Sequence, residues 1–134
     1  MARLAAHKVP VVSFLLAAFL GGTLLAHANG ISAGARGIGD STVTLGDLPV
    51  QGQQTYALIF QGGPFPYDKD GAVFGNRERR LPVRERGYYR EYTVKTPGVR
   101  SRGARRIACG GMPKNPEVCY YSDDHYAGFR KITR

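Results

Sequence analysis

The sequence predicts an α+β fold, in which one N-terminal α-helix packs on a small antiparallel β-sheet. Apolar residues recur with helical spacing in a single stretch, residues 49–61. The chain after this stretch contains only short β-prone segments, and turn-forming Gly and Pro residues separate them. A single helix followed by strands that short turns connect is typical of a helix on an antiparallel sheet.

The composition limits the chain to one small, basic, globular domain. Its 134 residues are too few for two domains of ordinary size, and an apolar share of 43% excludes a wholly disordered chain. Two cysteines exclude a multi-disulfide miniprotein and a four-cysteine zinc module. The formal net charge of +9 indicates an anionic partner.

Residues 1–28 have the pattern of a cleaved signal peptide. Arg3 and Lys8 begin it, an apolar run over residues 11–20 follows, and Ala26-His27-Ala28 supplies the small residues that signal peptidase accepts. A membrane anchor is the alternative, but an anchor needs about 20 apolar residues, and two glycines interrupt this run. We expect cleavage after Ala28, which leaves a secreted, extracellular chain without a membrane segment. Its net charge falls from +9 to +7 because Arg3 and Lys8 leave with the peptide.

The remaining chain is predicted to be a flexible lead over residues 29–41, rich in Gly, Ala and Ser, followed by one domain over residues 42–134. The alternation in residues 42–45 favours a short strand. Pro49 suits the first turn of the helix, and Gly62-Gly63-Pro64 ends it. The later β-prone segments are residues 72–74, 87–95, 105–109, 120–121 and 126–132.

The two cysteines, Cys109 and Cys119, are predicted to form a structural disulfide at the base of a hairpin. The Gly, Asn and Pro residues between them favour a turn, and an exported chain meets an oxidising compartment. A reactive thiol is the alternative, but no histidine lies near either cysteine in the sequence.

Four segments carry side chains suited to chemistry on a phosphate. Glu91 lies on a predicted strand, on the face that it shares with Tyr89 and Thr93. Arg102 and Arg106 share a face if their segment is extended. The third segment is the start of the last predicted strand, where His125 lies. The fourth is the turn Phe74-Gly75-Asn76-Arg77-Glu78, which has an aromatic ring at one end and a carboxylate at the other.

A carboxylate, two arginines and a histidine suit phosphoryl transfer within RNA, with no cofactor and no metal. The carboxylate can take the proton of the ribose 2′-hydroxyl, and the histidine can give one to the leaving 5′-oxygen. Arginine forks match the phosphate oxygens, on which charge develops. Each residue alone has a commoner explanation, because most strand carboxylates, arginine runs and single histidines are solvated surface.

Over residues 43–133 the chain resembles the guanyl-specific microbial ribonucleases, in the branch of ribonuclease Sa and, more distantly, barnase. The stretches that carry the resemblance keep their order and spacing over nearly the whole domain. They are residues 63–67, Asp70-Gly71, 76–78, Leu81-Pro82, 87–89, 91–94, 96–98, 100–106 and 124–127. The resemblance implies a helix packed on an antiparallel sheet, in agreement with the elements predicted above.

The resemblance implies a role for each candidate in the reaction. Glu91 looks like the general base and His125 like the general acid. Arg102 and Arg106 match the arginines that hold the scissile phosphate, and Tyr126 matches a tyrosine near that phosphate. The implied reaction cleaves single-stranded RNA after guanosine, first to a 2′,3′-cyclic phosphate and then to a 3′-phosphate.

The resemblance also implies how guanine is recognised. Glu78 would accept the guanine N1–H and N2–H₂ donors, and backbone N–H groups around Asn76 and Arg77 would donate to O6. Phe74 and Arg77 would stack on the base.

The chain departs from this family in several ways. Gly75 stands where the ribonuclease Sa branch has a larger polar residue, and Thr44 replaces the first cysteine of the disulfide that joins the two ends in that branch. Cys109 and Cys119 instead flank what the sequence suggests is a longer loop. The basic charge also contrasts with acidic relatives.

Two other functions fit the sequence. One is a ribonuclease toxin with a cognate, barstar-like protein inhibitor, a different biology with the same chemistry. The other is a basic nucleic-acid-binding protein without catalysis, which would not need Glu91 and His125 together. In each case we expect a monomer.

Overall fold

The computed structural model describes residues 41–134, so the predicted signal peptide and nearly all of the predicted lead lie outside the described residues. No helix in the described range is long and apolar enough to cross a membrane. The elements, in chain order, are β1 (Thr42–Thr44), a 3₁₀ turn (Leu45–Asp47), α1 (Val50–Gln61), β2 (Ala72–Val73), β3 (Tyr89–Thr93), β4 (Arg106–Met112), β5 (Asn115–Ser122) and β6 (Arg130–Thr133).

Helix α1 confirms the predicted helix and begins one residue later than expected. Pro49 caps it, and the Pro49 carbonyl accepts hydrogen bonds from the N–H groups of Gly52 and Gln53 at 2.7 and 3.1 Å. The helix ends at Gly62, which adopts a left-handed φ of 83°. A side chain is disfavoured at that angle, so glycine is the residue that ends a helix in this way.

The strands form one six-stranded sheet in the order β1-β6-β5-β4-β3-β2. Neighbouring strands are antiparallel from β6 to β2, as predicted, while β1 lies parallel to β6. A parallel neighbour needs a long connection, and nearly the whole domain separates β1 from β6. The α+β class is therefore confirmed, and the sheet is mixed at one edge.

The two faces of the sheet have different partners. On one face, Ile59 of α1 packs in a buried cluster with Tyr92, Ile107 and Tyr121 of the central strands. The Thr55 hydroxyl of α1 donates to the Thr93 carbonyl at 3.2 Å. The opposite face has its own buried cluster, made of Leu81, Tyr89, Ala108, Tyr120 and Phe129. Since side chains alternate along a strand, Glu91 and Thr93 of β3 lie on this second face with Tyr89.

The β4–β5 hairpin differs from the prediction. Its strands continue to Met112 and from Asn115, so that only Pro113 and Lys114 connect them. The glycines and Asn-Pro that suggested a turn instead lie in the strands, where the register shifts between Gly110 and Gly111. Such a shift accommodates an extra residue in an otherwise paired ladder.

The predicted disulfide and its place in a hairpin are confirmed, but the strands continue beyond the cysteines and leave only a two-residue connection where a longer loop was expected. Cys109 and Cys119 lie directly opposite each other on β4 and β5 and are joined by a disulfide, with a Cα–Cα distance of 4.1 Å. Both residues belong to the cluster on the helix side of the sheet.

The last strand is shorter than predicted and begins at Arg130, so His125 lies in the loop before it and not at its start. His125 and Tyr126 have φ values of 57° and 73°, which a strand cannot contain. The Asp124 carboxylate holds this loop by accepting hydrogen bonds from Gly128 N and Ser122 Oγ, both at 2.9 Å. Burial acts to raise the pKa of Asp124, but these hydrogen bonds lower it on balance.

Candidate active site

Glu91 is the centre of a hydrogen-bonded group on the face of the sheet away from the helix. Its side chain is 16% exposed. The Tyr126 hydroxyl donates to Oε2 at 2.7 Å, and Arg102 Nη2 lies 3.4 Å from Oε1. Each carboxylate oxygen therefore has its own partner, which fixes the plane of the carboxylate.

Arg102 is held above β3 by Thr93, another residue of that strand. Its Nε and Nη2 donate to Thr93 Oγ1 at 3.0 and 2.9 Å, and Nη2 lies 4.0 Å from Asp70 Oδ1. The Asp70 side chain is fully buried, and its Oδ1 accepts the Thr93 N–H at 2.7 Å. Its other oxygen, Oδ2, is buried without a hydrogen-bond partner among the described residues. A buried carboxylate beside Arg102 stabilises the guanidinium in this position.

Arg106 is the most buried cation of the group. It is only 3% exposed. Its Nη1 donates to the carbonyls of Gly103 and Arg105 at 2.9 and 2.8 Å, and its Nε donates to Tyr126 Oη at 3.1 Å. The guanidinium carbon also lies 5.8 Å from the centre of the Tyr126 ring. A guanidinium fixed by so many contacts needs little reorganisation to meet an anion.

Tyr126 links these groups and remains a hydrogen-bond donor. Burial raises its pKa to about 12, and the hydrogen bond to Glu91 acts in the same direction. Its hydroxyl is therefore protonated throughout the neutral range and can donate to a carboxylate or to a phosphate oxygen.

His125 lies beside this group on the surface. Its backbone N–H donates to the Ala104 carbonyl at 3.1 Å, which ties its loop to the segment that carries the two arginines. The imidazole is exposed, with its centre 5.0 Å from that of the Tyr126 ring. The side chain can therefore reach a ligand held in front of Tyr126.

A cleft of about 840 Å³ extends from His125 and Tyr126 along the segment after β2. The predicted base-binding residues all line it: Phe74, Asn76, Arg77 and Glu78. The centres of the Phe74 and Tyr126 rings are 5.0 Å apart, so one aromatic wall joins the predicted base-binding turn to the group around Glu91.

Asn76 shapes the predicted base-binding turn, residues 74–78, through its side chain. Its Nδ2 donates to the Leu81 carbonyl at 2.8 Å, and its Oδ1 accepts the Leu81 N–H at 3.0 Å. Leu81 is fully buried and so anchors the turn to the sheet. Asn76 itself has a φ of 46°, a conformation that Asn tolerates better than most residues.

Glu78 lies at the open side of the turn. Its side chain is 75% exposed, and Arg80 Nε lies 3.4 Å from its Oε2. The carboxylate is therefore available to a base that enters the cleft.

The structure thus brings together Glu91, Arg102, Arg106 and Tyr126, and it places His125 and the base-binding turn along one cleft with Tyr126. The disulfide lies on the other face of the sheet. Within residues 41–134 no group of three or more His, Cys, Asp or Glu could hold a metal ion.

Sequence reasoning missed several residues that support the site. Asp70 stands in the sequence as part of an Asp-Gly pair, which gives no sign of a buried carboxylate beside Arg102. Strand alternation places Thr93 on a face but does not reveal that it holds an arginine. The cleft is also lined by Tyr89 and by a group of charged residues that no motif singles out: Arg80, Arg84, Glu85 and Arg86.

Known proteins similar to this chain are ribonucleases. A family model described as ribonuclease matches residues 32–133. Guanyl-specific ribonuclease Sa of Kitasatospora aureofaciens is 52% identical over 91 residues, which cover 68% of this chain and 92% of that protein. Guanyl-specific ribonuclease Sa3 of the same organism is 54% identical over 85 residues, or 63% of this chain, and the match spans only 58% of the length of that relative.

A solved structure also shares the fold. The crystal structure of ribonuclease Sa2 with guanosine-2′-cyclophosphate superposes with a TM-score of 0.63 at 49% sequence identity. The superposition covers 69% of this chain and 95% of that one.

Proposed function

This chain belongs to the ribonuclease family, and from that premise we propose that it is an endoribonuclease that cleaves single-stranded RNA on the 3′ side of guanosine. The observation that carries the proposal is the convergence of Glu91, Arg102, Arg106 and Tyr126 at the end of a cleft that also contains the base-binding turn and His125. Three relatives that are 50–54% identical to this chain are guanyl-specific ribonucleases.

The first step is an internal transesterification. Glu91 takes the proton of the ribose 2′-hydroxyl, and the 2′-oxygen attacks phosphorus. The bond from phosphorus to the 5′-oxygen breaks, and His125 gives its proton to that oxygen. The products are a 2′,3′-cyclic phosphate and a free 5′-hydroxyl. In the second step water opens the ring to a 3′-phosphate, with His125 as base and Glu91 as acid.

The two arginines stabilise the charge that develops on the phosphate oxygens. Arg106 is buried and held by main-chain carbonyls, so its orientation is set before substrate arrives. Arg102 is held by Thr93 and close to Asp70. Tyr126 can move its hydrogen bond from Glu91 to a phosphate oxygen, which also frees Glu91 to accept a proton.

Guanine specificity comes from the turn after β2. The Glu78 carboxylate accepts from N1–H and N2–H₂, and backbone N–H groups at Asn76 and Arg77 donate to O6. Adenine lacks both of the donors that Glu78 needs, so adenine would leave the carboxylate without a partner. Phe74 and Arg77 stack on the base, and the Asn76–Leu81 hydrogen bonds keep the turn in shape.

The proposal extends to the location and partners of the protein. Residues 1–28 act as a cleaved signal peptide, residues 29–41 as a lead and residues 42–134 as the ribonuclease domain. The Cys109–Cys119 disulfide suits the oxidising space outside the cytoplasm. The secreted enzyme acts as a monomer. A barstar-like inhibitor would present acidic groups to the cleft, whose walls carry Arg77, Arg84 and Arg86.

One experiment tests the reaction and its specificity together. Purified protein is incubated with a mixed-sequence RNA, and the new 3′ ends are mapped with and without EDTA. We expect ends after guanosine only, unchanged by EDTA, because the nucleophile is the 2′-hydroxyl of the substrate. Inosine keeps N1–H and O6 but lacks N2–H₂, so it should be an intermediate substrate. Equal cleavage after A and G would contradict the role of Glu78.

Single-stranded DNA is the matched control for the nucleophile. It should bind to this basic chain, more weakly as salt rises, and inhibit without being cleaved, because it lacks the 2′-hydroxyl. Cleavage of DNA that stops on addition of EDTA would contradict the proposed mechanism.

A further inference from the structure

The segment between β2 and β3 is unusually rich in arginine where it forms the wall of the cleft. Arg77, Arg80, Arg84 and Arg86 line the cleft, together with the carboxylates of Glu78 and Glu85. All four arginines are exposed. The wall therefore carries an excess of positive charge that extends beyond the turn assigned to the base.

Two of these arginines have no role in the proposed reaction. Arg77 and Arg80 belong with the base-binding turn, since Arg77 stacks on the base in the proposed function and Arg80 pairs with Glu78. Arg84 and Arg86 form no ion pair with a carboxylate within residues 41–134. Arg84 and Arg86 therefore line a part of the cleft that contacts neither the scissile phosphate nor the guanine in the proposed function.

The backbone that carries Arg84 and Arg86 is anchored on both sides. The Tyr89 hydroxyl, at the floor of the cleft, donates to the Pro82 carbonyl at 2.8 Å. The Tyr88 N–H donates to the Glu85 carbonyl at 3.2 Å. The arginines therefore project from a turn that is fixed to the sheet.

Arg84 is also held through its side chain. Its guanidinium carbon lies 5.2 Å from the centre of the Tyr88 ring, a cation–π contact that leaves N–H groups available to an anion. Burial raises the pKa of Tyr89 to about 12, and the nearby charge of Arg84 opposes this rise. The positive charge is therefore close to the floor of the cleft.

We propose that Arg84 and Arg86 form a second phosphate-binding subsite, which holds a phosphodiester of a neighbouring nucleotide when the RNA is longer than a dinucleotide. The proposal rests on the proposed function. In the proposed function the scissile phosphate lies at Arg102 and Arg106 and the guanine lies in the turn of residues 74–78. Arg84 and Arg86 line the same cleft as that turn, so a flanking phosphodiester of a longer strand can reach them. Arginine forks bind phosphate oxygens in pairs, and Glu85 limits the strength of the subsite by repulsion.

The test compares two substrates with the double variant Arg84→Gln/Arg86→Gln. Guanylyl-cytidine has only the scissile phosphate, whereas a uridine oligonucleotide with one internal guanosine has several others. We expect kcat/KM of the variant to fall about threefold to tenfold on the oligonucleotide and to stay unchanged on the dinucleotide. The slope of log kcat/KM against log salt for the oligonucleotide should become shallower by about 0.7 for each phosphate that the variant no longer neutralises.

A charge-matched control distinguishes phosphate binding at the subsite from general electrostatic attraction of RNA to a basic protein. Lys114→Gln/Arg134→Gln also removes two positive charges, but Arg134 lies over Phe60 and Lys114 packs against Gly62, both beside α1. This variant should keep the oligonucleotide rate, and Glu85→Gln should raise it. An equal fall for both double variants, or an equal fall on both substrates, would overturn the subsite. Failure of the unaltered enzyme to cleave guanylyl-cytidine would instead overturn the proposed function.

Discussion

The hydroxyl of Tyr126 donates a 2.7 Å hydrogen bond to the carboxylate of Glu91, which lies 35 residues earlier in the chain. The same hydroxyl accepts a hydrogen bond from Arg106 at 3.1 Å. Tyr126 therefore orients both the proposed base and one of the proposed phosphate ligands, so that the geometry of the site depends on a residue that transfers no proton.

Tyr126→Phe removes this link while keeping the ring. We expect kcat to fall about tenfold to a hundredfold, because a hydrogen bond to a charged group disappears from the reacting centre. KM for guanylyl-cytidine should change less. Tyr56→Phe on α1 is the matched control and should have full activity. Unchanged kcat in Tyr126→Phe would show that Glu91 needs no such support.

Glu91→Gln keeps the size of the side chain but removes the base. Turnover should fall by about 10²–10⁴-fold, as measured by release of cyclic phosphate. Glu117→Gln is the control. The Glu117 carboxylate accepts a hydrogen bond from Tyr88 and does not line the cleft, so this variant should have unchanged turnover. If both variants had normal turnover, a non-catalytic nucleic-acid-binding function would become the better explanation.

His125→Ala should lower RNA cleavage by a similar factor. The sharper test uses guanosine 3′-(p-nitrophenyl phosphate), whose leaving group departs without a proton. The variant should retain most of its activity on this substrate, since only the acid is missing. An equal loss on both substrates would assign His125 to phosphate binding rather than to proton donation.

Alkaline pH should destabilise the fold through its tyrosines. Burial raises the pKa of Tyr89 and of Tyr126 from 10.0 to about 12. The unfolded chain therefore releases these protons before the folded chain does, and stability that is present below pH 10 is lost as the pH rises towards 12. Urea unfolding across this range should show a falling free energy of unfolding, with a smaller slope in Tyr89→Phe. A free energy that stays constant over this range would contradict the raised pKa values.

The disulfide should support stability and not catalysis. Replacing both Cys109 and Cys119 with Ala should lower the free energy of unfolding by about 3 kcal/mol at most, because the closed loop is short. Activity at low temperature should remain, since both cysteines lie on the helix side of the sheet. Two free thiols in the purified protein, detected by mass spectrometry, would contradict the bond itself.

Local signals in the sequence are sufficient for the helix and for the face of the sheet on which Glu91 lies. Pro49 and Gly62 bound α1 within one residue of the prediction, because a fixed φ and a left-handed φ act within a single turn of chain. The face shared by Glu91 and Thr93 follows from strand alternation alone.

Features that depend on contacts between residues distant in the chain could not be predicted from local sequence patterns. Glycines and prolines between the cysteines favour a turn, yet pairing of β4 with β5 places most of them in strands. The local pattern favours a strand at His125, but the hydrogen bonds of Asp124 to Ser122 and Gly128 close a loop there instead. The Asp70–Thr93 hydrogen bond joins residues 23 positions apart, and no local pattern announces such a contact.

The position of β1 has a consequence for how this domain can be attached to other proteins. The chain enters the sheet at the β1 edge, and the base-binding turn follows β2 at the opposite edge, with four strands in between. A domain fused ahead of Ser41 would therefore join the sheet at the edge remote from the proposed base-binding turn. The proposed base-binding turn would therefore stay accessible if a further domain preceded β1, whereas the loop of His125, which leads into the neighbouring strand β6, would lie closer to that domain.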